Sequence, residues 1–179
     1  MKNRISIQYV KIKLGELIIG SFEDKLCICD WRYRKMRSEI DKRIQKELNA
    51  TYFEEDSNII QITIIQLNEY LIGDREVFDI PLNLVGTSFQ KEVWKELLNV
   101  PYGKTETYLG LSKKIKNEKA IRAVASANGA NAISIIVPCH RIIGSNGKLI
   151  GYAGGLYAKK QLLQLESKNK FGDQLNLFN

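Results

Sequence analysis

The sequence predicts an α+β chain in two parts, an N-terminal unit with a small antiparallel sheet and helices, then a mostly helical unit. Three observations carry this reading. Short β-prone runs are concentrated in the first third of the chain. Helical spacing of apolar residues dominates from Thr87 onward. The charge changes near the same place: residues 1–86 hold 13 Lys and Arg against 14 Asp and Glu, whereas residues 87–179 hold 14 against 6. A net of −1 therefore meets a net of +8, consistent with the +7 of the 179-residue whole. The expected division is 1–86, an α/β unit; 87–167, a basic helical unit; and 168–179, a flexible tail.

The elements are taken in chain order. Ile5 to Ile12, Leu17 to Phe22 and Leu26 to Trp31 are β-prone runs, separated by Gly15-Glu16 and Glu23-Asp24-Lys25, so they read as an antiparallel meander. Met36, Ile40, Ile44 and Leu48 recur every fourth residue and predict a helix with one buried stripe. Ser57 to Ile72 pulls two ways. Its isoleucine-rich start favours a strand, but its length and its Gln66-to-Leu71 end favour a helix, which is the expectation adopted. Phe78 to Pro81 reads as a last extended segment, with the seam at Leu82 to Gly86. Thr87-x-x-Gln90 is a capping pattern ahead of a helix through Leu98. Thr107 to Ile115 and Lys119 to Asn128 then read as two short helices broken at Asn117-Glu118, a spacing that suggests a helix-turn-helix. Ile133 to Val137 is an apolar run, expected to be a buried strand that anchors the Pro138-Cys139 segment. Tyr157 to Glu166 closes the order as a helix.

Composition narrows the function. No apolar run is long enough to cross a membrane, and Met1 to Tyr9 lacks a signal-peptide core, so a cytoplasmic protein is expected. The three cysteines make no even disulfide framework. Cys27 and Cys29, two apart on a strand, are expected on one face as buried reduced thiols. His140 is the one histidine, which argues against a zinc site built on several imidazoles; neither metal nor cofactor is expected. The basic second half suits a polyanionic partner, nucleic acid above all.

One string concentrates the chemistry. Pro138 restrains the backbone ahead of Cys139, and a thiol beside an imidazole is a candidate nucleophile. His140 could draw the thiol proton directly or through one water, and Glu166 is a candidate to orient the ring. The residues alone leave a second reading open, in which Cys139 is only a small buried side chain.

Ile136-Val137-Pro138-Cys139-His140-Arg141-Ile142-Ile143-Gly144 resembles the active-site signature of the methylated-DNA–protein-cysteine methyltransferases. Phe89-Gln90-x-x-Val93-Trp94, Pro101-x-Gly103, Thr107-Tyr108-x-x-Leu111, Arg122-Ala123-Val124, Asn131, Gly151-Tyr152-x-Gly154-Gly155 and Leu162-Leu163-x-Leu165-Glu166 fall in that family's order and spacing. The likeness is close from Thr87 to Glu166; the first half is similar only in size and strand pattern. It implies that Cys139 attacks the alkyl carbon on guanine O6 in double-stranded DNA, with His140 as water-linked base and Glu166 as its partner. Tyr108 would donate to the departing base, and the thioether left on Cys139 would make each molecule single-use. The resemblance further implies base flipping, with Arg122 filling the vacated stack. Backbone groups near Cys139, Ile142 and Ala153 would read the base, Tyr152 would line the pocket, and Gly154 would permit close approach. Asn131 would tie the helix-turn-helix to the active-site segment. Ala132 stands where the family often has proline, which is expected to loosen the turn. The zinc cluster of some relatives needs histidines absent here.

Two rivals remain on sequence grounds: a Cys-His-Glu thiol hydrolase with no need for DNA, and a non-catalytic helix-turn-helix regulator. Gln174-Leu175-Asn176-Leu177-Phe178, in the tail, resembles the short peptide by which bacterial repair proteins dock on the sliding clamp. A monomer is expected.

Overall fold

Hairpin-forming residues at the N-terminus pair locally. In the computed structural model, which describes residues 3–171, β1 (Asn3–Ile12), β2 (Gly15–Phe22) and β3 (Lys25–Trp31) form the expected meander. Glu23 and Asp24 join β2 to β3 with both φ angles positive, 48° and 56°, the hand that suits a tight hairpin. Helix α1 (Arg37–Glu47) buries Ile40 and Ile44. A fourth strand, β4 (Ala50–Glu54), comes directly after it and pairs parallel with β1, giving the order β3-β2-β1-β4. The sheet is therefore mixed rather than purely antiparallel. At five residues, with both ends of the pattern set by its neighbours, β4 is too short to alternate visibly in the sequence.

Helix α2 (Asn58–Ile72) resolves the ambiguous isoleucine run as expected. Ser57 caps it by accepting from Ile60 N at 3.2 Å, and Gly73 ends it in the left-handed region at φ 90°. Its buried residues, Ile59, Ile60, Thr63, Gln66, Leu67 and Tyr70, keep helical spacing, which outweighs β-branched composition once a sheet is there to pack on.

The two sheet faces serve different neighbours. Ile5, Ile7, Ile18 and Ile28 pack with Ile40 and Ile44 of α1. Leu17, Ile19, Leu26, Cys29 and Trp31 share a core with Ile60, Leu67 and Tyr70 of α2 and with the helical half. A bulge separates Leu26, which pairs with Ser21, from Ile28, which pairs with Gly20, and leaves Cys27 unopposed. The bulge reverses the alternation, so Cys27 joins the α1 side and Cys29 the other. The expectation of one shared face is thereby corrected.

Beyond the extended segment, which hydrogen-bonds β3 through Leu26 N to Pro81 O at 2.8 Å, come α3 (Ser88–Leu98) and a short parallel pair, β5 (Glu106–Thr107) with β6 (Ile142–Ile143). The Thr87 capping box forms in full. Helices α4 (Tyr108–Lys114) and α5 (Ile121–Gly129), joined through a 3-10 turn at Glu118–Ala120, make the anticipated helical hairpin. Ile133 to Val137 is not a strand. Ile133 forms one bridge to Cys29, and the chain then turns, with Ile135 at φ 72°. A β-branched residue there is strained by about 1–3 kcal/mol, so the surroundings must hold it. Helix α6 (Gly155–Phe171) runs into the expected tail; Gln174 to Phe178 lies outside the described residues.

The halves are also joined by polar contacts. Arg34 donates to the carbonyls of Gly129 and, at 3.0 Å, Asn131; Arg43 donates to Ala130 O at 2.9 Å. These are carbonyls that the end of α5 leaves unpaired, and cations suit a helix C-terminus. Buried Asp30 holds Arg34 and Arg37 and accepts from Ser134 Oγ at 2.9 Å.

Candidate active site

The segment after α5 is shaped by one amide. Asn131 Nδ2 lies 3.0 Å from Val137 O and 3.2 Å from Cys139 Sγ, while its Oδ1 accepts from Ile133 N at 2.9 Å. Asn131 thus closes the loop that contains strained Ile135 and fixes where the Cys139 thiol begins its turn. Arg34 holds the Asn131 carbonyl, and Ala132 O accepts from Cys29 N at 2.9 Å. The sheet supplies restraint where a proline would have supplied it locally. Pro138 precedes a 3-10 turn over Cys139–Arg141, all three of them buried.

The turn sends adjacent side chains to opposite tasks. Cys139 lines a cavity of about 500 Å³, together with Arg34, Tyr108, Asn131, Tyr152 and Ala153. His140 faces inward, its Nε2 2.8 Å from Glu166 Oε1, with both side chains fully buried. Arg141 grips the same carboxylate, with Nε 3.0 Å from Oε2 and Nη2 3.0 Å from Oε1. Gly103 N donates to Oε2 at 3.2 Å, and Tyr70 Oη donates to Oε1 at 2.7 Å.

These contacts decide protonation. Burial alone would raise the Glu166 carboxyl, but its donors outweigh burial and hold it down to about 2. Burial pushes His140 below the ordinary imidazole range despite Glu166. The guanidinium of Arg141 then carries the counter-charge, and the imidazole stays neutral. Facing an ionised carboxylate, Nε2 must be the protonated nitrogen, so Nδ1 carries the lone pair. Nδ1 is buried with no hydrogen-bond partner among the described residues. Burial raises the Cys139 thiol, against the Asn131 contact, so it is a protonated thiol that needs a base. Burial, then the nearness of Cys139, raises the Tyr108 phenol, which keeps its proton to donate. The arrangement can deprotonate a thiol and deliver it to an electrophile in the cavity, which the Tyr108 phenol also lines.

Of the residues singled out from sequence, Cys139, Tyr108, Asn131, Tyr152 and Ala153 meet at the cavity, while His140 and Glu166 pair with each other and are not among its lining residues. Ile142 is buried, and its carbonyl is taken by Lys159 Nζ at 2.5 Å. Gly154 does not line the cavity. It packs against the Trp31 ring, where an added Cβ would come within 2.3 Å. Arg122 is exposed in the first turn of α5 and is not among the lining residues of the cavity.

Known proteins resemble this chain in sequence and in fold. The family model for the DNA-binding domain of 6-O-methylguanine DNA methyltransferase matches residues 88–168. A methylated-DNA–protein-cysteine methyltransferase of Methanosarcina mazei is 51% identical over 121 residues, covering 68% of this chain and 72% of that protein. The chain belongs to this methyltransferase family. The member from Mycobacterium tuberculosis is 46% identical over 132 residues, 74% of this chain and 79% of its own. The crystal structure of M. tuberculosis OGT in complex with DNA superposes with a TM-score of 0.77 at 36% identity, covering 93% of this chain and 94% of that one.

Several residues at the cavity and around the carboxylate were missed in the sequence. Arg34, Lys35 and Met36 wall the cavity from the N-terminal half, and nothing in their local pattern points there. Arg141 stood within the signature, beside the noted pair. Lys159 was detectable only as a lysine between the helix positions that bury Ala158 and Leu162.

Proposed function

We propose that the protein repairs O6-alkylguanine in duplex DNA by transferring the alkyl carbon to Cys139 Sγ. The observation that carries this reading is the Cys139 thiol on a cavity wall, backed by a neutral His140 whose one bare nitrogen has no protein partner among the described residues. His140 Nδ1 takes the thiol proton, directly or through one water; Glu166 keeps the opposite nitrogen protonated. The carbon–sulfur bond forms as the carbon–O6 bond breaks, and Tyr108 donates to the guanine that leaves. A thioether is inert to ordinary hydrolysis, so each molecule acts once. Arg122, on the exposed first turn of α5, fills the stack vacated by the flipped base. Tyr152, Ala153 and the backbone at Cys139 and Ile142 hold that base in the cavity, with Gly154 setting the loop's height on Trp31. Residues 87–167 act as the DNA-binding and transfer unit, with 1–86 as its support. The protein works as a cytoplasmic monomer; among the described residues no helix is long and apolar enough to cross a membrane.

Intact-protein mass after incubation with a duplex holding one O6-methylguanine tests the reading. The expected result is one added methyl per molecule, mapped to Cys139 and absent in Cys139→Ala. No mass gain with reduced, folded protein would leave a thiol hydrolase or a DNA-binding regulator.

The same reading extends to Gln174-Leu175-Asn176-Leu177-Phe178, whose apolar anchors in a polar segment suit the groove of a bacterial sliding clamp. Deleting residues 174–179 is expected to abolish binding to purified clamp; undiminished binding would refute the assignment.

A further inference from the structure

Glu166 has more donors than an orienting carboxylate needs. Arg141 and Gly103 between them satisfy Oε2, and Arg141 also reaches Oε1. His140 and Tyr70 meet on Oε1 as well, at 2.8 and 2.7 Å, and the Tyr70 hydroxyl lies 3.4 Å from His140 Nε2. Tyr70 comes from α2 in the other half of the molecule, 96 positions before Glu166. Its ring is fully buried, 5.3 Å from Phe78 and edge-on to Tyr102 at 6.0 Å. Burial, then Glu166, push the phenol far above its ordinary range, so it stays a donor.

We propose that Tyr70 is a positioning residue for alkyl transfer: by sharing Glu166 Oε1 with His140, it keeps the imidazole neutral and Nδ1 ready for the Cys139 proton. The proposal rests on the transfer reading above. A carboxylate whose charge is spread over more donors stabilises a neighbouring imidazolium less. Without the hydroxyl, Oε1 would turn its charge on His140, and the ring would hold a second proton to higher pH and cease to be a base. The other groups around the ring are charged or remote from Oε1. Arg141 in the same turn and Lys159 of α6 oppose a charged ring, Cys139 precedes it, and Tyr152 meets it edge-on at 6.3 Å. Removing the Tyr70 hydroxyl therefore changes the balance without adding or deleting a charge.

Because His140 is the one histidine, its ring nitrogens are read without overlap. The test compares full-length, 15N-histidine-labelled wild type and Tyr70→Phe by NMR across pH, alongside pH–rate profiles of methyl transfer from an O6-methylguanine duplex. In Tyr70→Phe, the His140 midpoint and the acid limb of the rate are both expected to rise by about one pH unit. An unmoved midpoint in folded Tyr70→Phe overturns the proposal even if transfer slows, since packing alone would then explain the slowing. A moved midpoint in a protein whose wild type transfers no methyl overturns the transfer reading, and this role with it. Should Tyr70→Phe fail to fold, 3,5-difluorotyrosine at position 70 replaces it. That more acidic phenol donates more strongly and is expected to lower both midpoints, and no movement overturns the proposal.

Discussion

Glu166 concentrates the charge logic of the site in one side chain. Its carboxyl is held down to about 2 when folded, against an ordinary glutamate near 4.3. A depressed carboxylate stabilises the fold fully above the unfolded value and loses that contribution as pH falls through the folded one. Denaturation measured from pH 6 to pH 2 is therefore expected to show a steep loss of stability from about pH 4.5 down to about pH 2. Glu166→Gln should flatten that loss and cost about 3 kcal/mol at neutral pH, because it leaves Arg141 buried without its counter-charge. A wild-type profile level across this window would show that the carboxylate is not held as described. Residues of this kind were half legible. Cys139, His140, Glu166 and Asn131 stood out in the sequence by spacing and resemblance. Tyr70 did not, because a buried tyrosine on an apolar helix face looks the same whether its hydroxyl meets a carboxylate or packing alone.

At the scale of elements, the loop between β6 and α6 is seated by contact with the sheet. Gly154 lies so close to Trp31 that a methyl group there would sit 2.3 Å from the indole, while Trp31 also meets Tyr152 edge-on at 5.8 Å. Gly154→Ala is expected to cost about 1–3 kcal/mol and to lift the loop carrying Tyr152 and Ala153, slowing transfer. Trp31→Leu in the same chain should recover part of the stability, a coupling that a double-mutant cycle by chemical denaturation would measure; strict additivity would show that the indole does not seat the loop. The resemblance implied a close backbone approach at Gly154 as part of holding the base; the contact of Gly154 with Trp31 was not foreseen, and Gly155 has no atom within 4 Å of an added Cβ. Only the tertiary fold brings a strand residue more than a hundred positions earlier against Gly154. Local rules did well where the signal is local: the Thr87 capping box and the helical hairpin both formed. They failed at β4, at the bulge and at Ile133 to Val137, where neighbours distant in sequence choose the conformation.

Over the whole molecule, the halves that differ in charge share one apolar core. Leu17, Ile19, Trp31, Leu67 and Tyr70 lie in the same cluster as Val93, Trp94, Leu111, Val137 and Cys139. Arg34 and Arg43 also leave the sheet side to hold the end of α5. Each such apolar side chain, once buried, contributes about 1.5–3 kcal/mol, so residues 87–179 expressed alone are expected to melt far below the full chain and to bind hydrophobic dye. A fragment with the full chain's melting temperature would contradict a shared core. The bulge in β3 bears on something else, the identity of the reactive sulfur. It sends Cys27 to one side of the sheet and Cys29 to the other, with burial pushing Cys27 up to about 12 and Cys29 higher still. No internal bridge can form between them, and neither offers a thiolate to a passing electrophile. A thiol-selective dye applied to the native protein has one sulfur that opens on a cavity to find, Cys139. The folded chain is thereby its own dosimeter: the label it still accepts counts the molecules not yet spent.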